Sequence, residues 1–277
     1  MEYLAMCSCG KDSLAMVLKL IETNAPLDEV VFYDTGMEFD AIYNNWNKLY
    51  LFLQQQGIKA TVLKPPVPFE EKAFNILVHK RKGGTQYGYS WCGGKCRWGT
   101  TDKIRIMDKY CEKKQAIVYI GIASDELKRI KSKRKQYKKL PLVEWGMTEQ
   151  ECLAYCRENG WNWDEDGVDL YEILNRVSCW CCRNKNKKEL RNIYRFLPKY
   201  WEKLKEFQSK TSFPMKKYYK NHVEYGTVFE LEQVFKKDEE IKALGVQVPE
   251  LMEKHLSISK CASQKGYKNG DKNNGFA

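Results

Sequence analysis

A short apolar run, Tyr3-Leu4-Ala5-Met6-Cys7, leads directly into Ser8-Cys9-Gly10-Lys11-Asp12-Ser13, and Leu14 to Ile21 then has the spacing of a helix. Strand, small Gly-bearing loop and helix in immediate succession constrain this chain more than any other stretch. Backbone N–H groups can converge on an anion in such a loop, and the helix N-terminus adds unpaired donors and partial positive charge. Lys11 can reach an outer phosphate, and Ser8 and Ser13 can donate from their hydroxyls. Asp12 is costly beside phosphate unless it holds a cation or pins the loop. Six residues alone also admit an ordinary strand–turn–helix, and the position after the first strand and the segments downstream of Ser13 decide against it.

Asp28 to Asp34 reads as a second parallel strand ending in Asp34-Thr35-Gly36. Asp40 to Gln56 has helical spacing through Ile42, Trp46, Leu49 and Leu53, and Ile58 to Leu63 is a third strand closed by Lys64-Pro65-Pro66. This alternation predicts an α/β fold, a doubly wound parallel sheet with ligand loops at the C-terminal strand ends. Further on, Glu70 to Arg81 reads as a helix, Lys82 to Gly99 as a loop, Thr100 to Lys113 as a helix and Ala116 to Gly121 as a buried strand. Leu140 to Trp145 reads as extended. Thr148-Glu149-Gln150-Glu151 is a capping-box pattern opening a helix through Cys156. A short helix is expected at Leu170 to Leu174, a basic amphipathic one at Lys187 to Lys210 with a break near Pro198, and another at Val228 to Lys242. The organisation expected is an α/β nucleotide-binding domain over 1–183, a helical C-terminal extension over 184–262 and a disordered Gly/Asn/Lys-rich tail over 263–277.

The formal net charge of +11 and pI near 9.0 over 277 residues favour a polyanionic partner, nucleotide or nucleic acid, with a merely solvated basic surface as the other reading. No stretch approaches the roughly 20 apolar residues of a membrane span. The chain enters a strand at once, without a leader, so a cytoplasmic protein with no membrane partner is expected. Eleven cysteines in such a chain point to reduced thiols, metal ligation or catalysis rather than disulfides. Cys92 and Cys96 share a Gly-containing loop, and about 83 residues after Cys96 come Cys179, Cys181 and Cys182. Thiolates in two close groups suit zinc or an iron–sulfur cluster. Cys7 and Cys9 suit packing against the sheet, and Cys111, Cys152 and Cys156 suit helix cores. His79, His222 and His255 form no triad or metal spacing.

The order Ser8-x-Gly10-Lys11-Asp12-Ser13 resembles the PP-loop of the ATP pyrophosphatase (adenine nucleotide α-hydrolase) superfamily, with Cys9 where a Gly is usual. It lacks the Gly-x-x-x-x-Gly-Lys-Ser/Thr spacing of a Walker A loop. Asp34-Thr35-Gly36 followed by Phe39 and Tyr43, Gly121 to Arg129, Pro141 to Trp145 and Arg176 to Cys182 resemble the phosphoadenosine phosphosulfate (PAPS) reductase branch. The resemblance runs from Tyr3 to about Pro198. It implies a nucleotide, ATP or PAPS, held by Ser8, Cys9, Gly10, Lys11, Asp12, Ser13, Asp34, Thr35, Gly36, Gly121, Asp125 and Arg129. Lys11, Asp12 and Ser13 would serve the chemistry and Mg²⁺ would bridge phosphate oxygens.

The cysteine arrangement is similar to that of cluster-bearing adenylylsulfate reductases and of the sulfur-transfer proteins of DNA phosphorothioation. That implies a [4Fe–4S] cluster at Cys92, Cys96, Cys179 and Cys182, with Cys181 able to replace Cys182. Zinc is the runner-up, and a metal-free, packed or redox-active set is the third reading. The reductases have adjacent cysteines in the first group, whereas three residues intervene here. The resemblance therefore implies an enzyme that adenylates an acceptor with pyrophosphate release for sulfur transfer, with nucleic acid (DNA or RNA) as acceptor and a sulfur donor or partner protein. Arg129 to Lys139 and Lys185 to Lys210 would then hold the nucleic acid. One alternative is a sulfonucleotide reductase using Cys261, although Ser259 to Ser263 lacks the family's Glu-Cys-Gly. The other is a non-catalytic nucleotide- or nucleic-acid-binding subunit.

Overall fold

The computed structural model describes residues 1–80, 83–91, 96–132, 135–220 and 223–243. Five strands form one parallel sheet: β1 (Tyr3–Cys7), β2 (Glu29–Tyr33), β3 (Lys59–Leu63), β6 (Ile117–Ile120) and β7 (Lys138–Lys139). Their order is β3-β2-β1-β6-β7. The sheet therefore grows one way from β1 through β2 and β3 and the other way through β6. The strand order reverses between β1 and β6, the switch point at which open α/β sheets bind ligands.

Side-chain alternation assigns the two faces. Leu4 and Val31 join Val118, Ala116 and Cys111 of α3 (Lys103–Lys114), with Met6, Ile120 and Leu63 packed against them. Phe32, one residue past Val31, stacks instead on Trp46 of α2 (Asp40–Gln55) at 4.9 Å. The helix α1 (Lys11–Glu22) buries Leu14, Ala15, Val17 and Leu20 and packs on α6 (Glu149–Glu158), which buries Cys152 and Cys156. The sheet is thus wound on both faces, as the strand–helix alternation predicts.

Several elements differ from their expected form. The Glu70–Arg81 segment is a short π-helical turn, Glu71–Asn75, followed by β4 (Leu77–His79), which pairs antiparallel with β5 (Thr85–Tyr87). Gly88 sits at φ 63°, where a Cβ would fall 1.9 Å from the Ala73 carbonyl oxygen, so the returning strand closes onto the turn. A second wide turn, Arg97–Asp102, precedes α3. Two single-turn helices follow β6, α4 (Leu127–Ile130) and α5 (Pro141–Glu144). The second replaces the extended Leu140–Trp145 segment, because Pro141 fits the first turn of a helix.

The hairpin of β8 (Asp164–Glu165) and β9 (Val168–Asp169) leads into α7 (Leu170–Ile173). The basic segment is two helices, α8 (Lys187–Phe196) and α9 (Pro198–Ser209), broken at Pro198 as expected. Phe207 of α9 meets Phe69, Phe74 and Trp180 at 5.0–5.6 Å between ring centres. Tyr200 packs edge-on to Phe39 at 4.8 Å. This aromatic core carries the loop after β2 and the Cys179 segment. A hairpin of β10 (Tyr218–Lys220) and β11 (Val223–Tyr225) and the helix α10 (Val228–Ala243) complete the described chain. The chain divides into two compact units, Met1–Phe229 and Glu230–Ala277. The expected tail over 263–277 lies outside the described residues. No helix among the described residues is long and apolar enough to cross a membrane.

Candidate active site

The Ser8–Ser13 loop turns through Cys9, which stands at φ 55° in the left-handed region. A non-glycine residue costs about 1–2 kcal/mol there, which is why glycine is the favoured residue at such a turn. Cys9 is fully buried, and its carbonyl accepts from Trp163 Nε1 at 2.7 Å. Its thiol lies 3.9 Å from Cys7 Sγ. Burial pushes the Cys9 thiol well up, while the contact with Cys9 lowers that of Cys7. Ser13 is the internal strut of the loop. Its hydroxyl accepts from the Ser8 N–H at 3.1 Å, touches Ser8 Oγ at 3.1 Å and donates to the Gly10 carbonyl at 3.1 Å. Ser8 is the exposed hydroxyl of the pair.

Gly121 ends β6 against this loop. A Cβ there would lie 2.7 Å from Ser13 Cα and 2.8 Å from Ser13 N, so only glycine lets the chain leaving β6 lie against the first turn of α1. Gly10 occupies the N-cap of α1 without a side-chain cap, leaving first-turn amides unpaired within the helix. A cavity of about 200 Å³ opens over them, with Glu126, Arg129, Tyr171 and Arg176 on its walls.

Lys11 folds back across the cavity, with Nζ 2.8 Å from Asp12 Oδ1 and 3.4 Å from Glu149 Oε1. Asp12, Glu126 and Glu149 place carboxylate oxygens within 4.8 Å of one another. Burial raises the Asp12 carboxyl above its ordinary value, against the pull of Lys11. Glu126 also receives Arg129 at 2.5 Å and Arg176 at 3.2 Å. Asp125 turns aside to accept the Glu149 N–H at 3.1 Å, so Glu126 is the acid of that pair on the cavity wall.

Asp34 holds its own turn, accepting from the Gly36 N–H at 2.7 Å and the Tyr43 hydroxyl at 2.8 Å. Gly36 supplies the left-handed residue at φ 76°. Thr35 Oγ1 donates to Glu38 Oε1 at 2.8 Å and lies 3.4 Å from Cys179 Sγ. Trp180 N–H donates to the Met37 carbonyl at 3.0 Å. The loop after β2 and the cysteine segment are therefore one packed unit. Burial raises the Glu38 carboxyl.

Cys96, Cys179 and Cys182 all act electrostatically on the buried Cys181 thiol, and Cys92 lies outside the described residues, as does Cys261. Two lysines face this sulfur-rich region. Lys185 is buried and donates to Ser178 Oγ at 3.2 Å, and Lys216 donates to the Arg183 carbonyl. Burial lowers both ammonium pKa values, and the neighbouring Cys182 opposes that shift in each. The donor set is soft and thiol-rich. Among the described residues these sulfurs do not converge within the 4.8 Å that the acidic trio satisfies. The cationic lysines suit the negative charge of a thiolate-bound cluster.

Sequence reasoning missed Lys103, Glu149, Trp163 and Tyr171 as parts of this region. Lys103 lines a larger cavity of about 390 Å³ with Cys7, Ser8 and Ser13. Its charge acts on Cys7, Cys9, Glu38 and Cys179, groups of both the loop and the cysteine segment. Nothing in a Lys-rich helix distinguishes it beforehand. In the two basic segments, Lys135 and Lys138 meet Asp108 at 3.6 and 2.5 Å, and Lys199 meets Asp40 at 2.7 Å.

No protein-family profile matches the chain. It is 27% identical over 220 residues to Uncharacterized protein MJ0066 of Methanocaldococcus jannaschii, an alignment covering 73% of this chain and 41% of that one. The chain thus spans about two fifths of the length of that relative. A U34-tRNA thiolase, NcsA from Methanococcus maripaludis with its [4Fe-4S] cluster, superposes at a TM-score of 0.42 and 14% identity over 85% of this chain and 72% of its own.

Proposed function

We propose that the chain is an ATP-using PP-loop enzyme that adenylates an acceptor, releasing pyrophosphate, for sulfur transfer. The observation that carries this reading is one crevice edge holding both kinds of chemistry. Lys11 and the α1 amides lie after β1, and the Thr35–Glu38 loop after β2 holds the Cys179 thiol. The acceptor oxygen attacks the α-phosphorus, the bond to the bridging oxygen breaks, and pyrophosphate leaves with that electron pair. Charge grows on the leaving oxygens, where Lys11, the first-turn amides and Arg129 stabilise it. Lys11 must release Asp12 and Glu149 to do so. Those two carboxylates with Glu126 offer the hard oxygens that would hold Mg²⁺ against the phosphates. Lys103 would balance charge on the α-phosphate from the larger cavity. Cys96, Cys179 and Cys182, with Cys92, would hold a [4Fe–4S] cluster, which when bound supplies a site for sulfur. Nucleic acid would be the acceptor, a reading that the formal net charge of +11 supports.

The test incubates anaerobically purified protein with ATP, Mg²⁺ and either duplex DNA or tRNA, then separates nucleotides by anion exchange. AMP and pyrophosphate that disappear in Lys11→Ala are expected. ATP left intact with both acceptors, and with cell extract supplying a sulfur donor, would overturn the reading.

A further inference from the structure

Tyr171, the second residue of α7, reaches the Ser8–Ser13 loop from 160 residues away. Its hydroxyl accepts from the Lys11 N–H at 2.8 Å. A Cβ on Gly10 would lie 3.4 Å from the same oxygen. The ring stands edge-on to Trp163 at 4.8 Å and 87°. Trp163 in turn donates to the Cys9 carbonyl. The two aromatics therefore strap the loop from outside, and Asp169 caps α7 by accepting from the Tyr171 N–H at 2.8 Å.

The Lys11 amide is one of the first-turn donors expected to meet an anion, yet here a hydroxyl has taken it. That hydroxyl keeps its own proton, since burial pushes the phenol far above its ordinary value. Among the described residues this proton has no acceptor, although Tyr171 lines the 200 Å³ cavity beside Arg176 and Lys11. A hydroxyl that accepts from the Lys11 N–H, on a residue lining a pocket with Lys11, Arg129 and Arg176, can donate its proton to an anion that enters.

We propose that Tyr171 is an anion-binding residue of this site, accepting from the Lys11 N–H and donating to an oxygen of the outer, pyrophosphate end of the nucleotide. The relay carries the helix-end donor outward by one hydroxyl. Each hydrogen bond of such a chain polarises the next, and the last one is charge-assisted. This inference rests on the loop being a phosphate site, and it assigns the end of the phosphate chain to the α7 side.

The test is isothermal titration calorimetry of the full chain with pyrophosphate and, separately, with AMP. Tyr171→Phe keeps the ring against Trp163 and removes only the hydroxyl. It is expected to weaken pyrophosphate binding about ten- to a hundredfold, the range for one hydrogen bond to a charged group. AMP affinity and the far-ultraviolet circular dichroism should stay unchanged, a selectivity that a merely structural role would not produce. Pyrophosphate affinity equal to wild type, or tighter through release of the Lys11 amide, overturns the proposal. If either occurs while Lys11→Ala still abolishes pyrophosphate binding, the phosphate-site reading survives alone. Wild-type protein that binds no pyrophosphate removes both.

Discussion

Gly121 shows how little room the site leaves at the level of one atom. Gly121→Ala places a methyl 2.7 Å from backbone that has no rotamer to give. The end of β6 and the first turn of α1 must part, at a cost of about 1–3 kcal/mol. A lower urea midpoint with weakened pyrophosphate binding is the expected pair of results. Asp12 gives the opposite sign. Its folded carboxyl is raised by burial, so the native state binds that proton more readily than the unfolded chain. The penalty of ionising it is present at pH 7 and disappears as the pH falls through the folded pKa and then the unfolded one. Asp12→Asn should therefore be the more stable protein at pH 7, with the advantage shrinking towards pH 4 in parallel denaturation curves. It should also lose activity, the trade expected where a strained group serves function. The motif Ser8 to Ser13 was legible as a loop, but the division of labour inside it was not. Ser13 holds the loop and Ser8 faces out, because the two hydroxyls compete for one interior position.

At the scale of the elements, α6 couples helix stability to the site. The Thr148–Glu151 capping box forms as its sequence indicates, with both reciprocal hydrogen bonds present. The next residue after the cap is Glu149, the partner of Lys11. Thr148→Ala should cost about 1 kcal/mol in urea denaturation, with only a small change in pyrophosphate affinity because Glu149 stays in the helix. Elements with a strong local signal, such as β1, α2, α6 and the Pro198 break, were legible from periodicity and capping. The Glu71–Asn75 turn and the β4–β5 hairpin were not. Their form depends on Gly88 closing onto the Ala73 backbone, a contact between distant residues that no local pattern encodes.

The whole molecule brings together cysteines that sequence separates by about 83 residues. Cys179 comes to Thr35 through Trp180, whose ring belongs to the core of Phe207. Cys96 comes from before α3. Anaerobically purified protein should carry iron and acid-labile sulfide with visible absorption. Cys179→Ser and Cys96→Ser should lose it, while Cys111→Ser, buried under the sheet, should keep it. Retention of iron in Cys179→Ser would remove that residue from the ligand set.

By itself the sequence determined the parallel α/β sheet, the position of the loop after β1 and the grouping of thiols, since hydrophobic period, glycine placement and cysteine spacing are local properties of a chain. Tertiary structure alone decided which side chains face one another. Tyr171 reaches the Lys11 amide, Glu149 and Glu126 meet Asp12, and Lys103 lines the cavity beside Cys7, Ser8 and Ser13. These contacts join positions far apart in the chain. They are fixed by where packed helices and strands project their side chains, and the residue types involved are common everywhere else in this sequence.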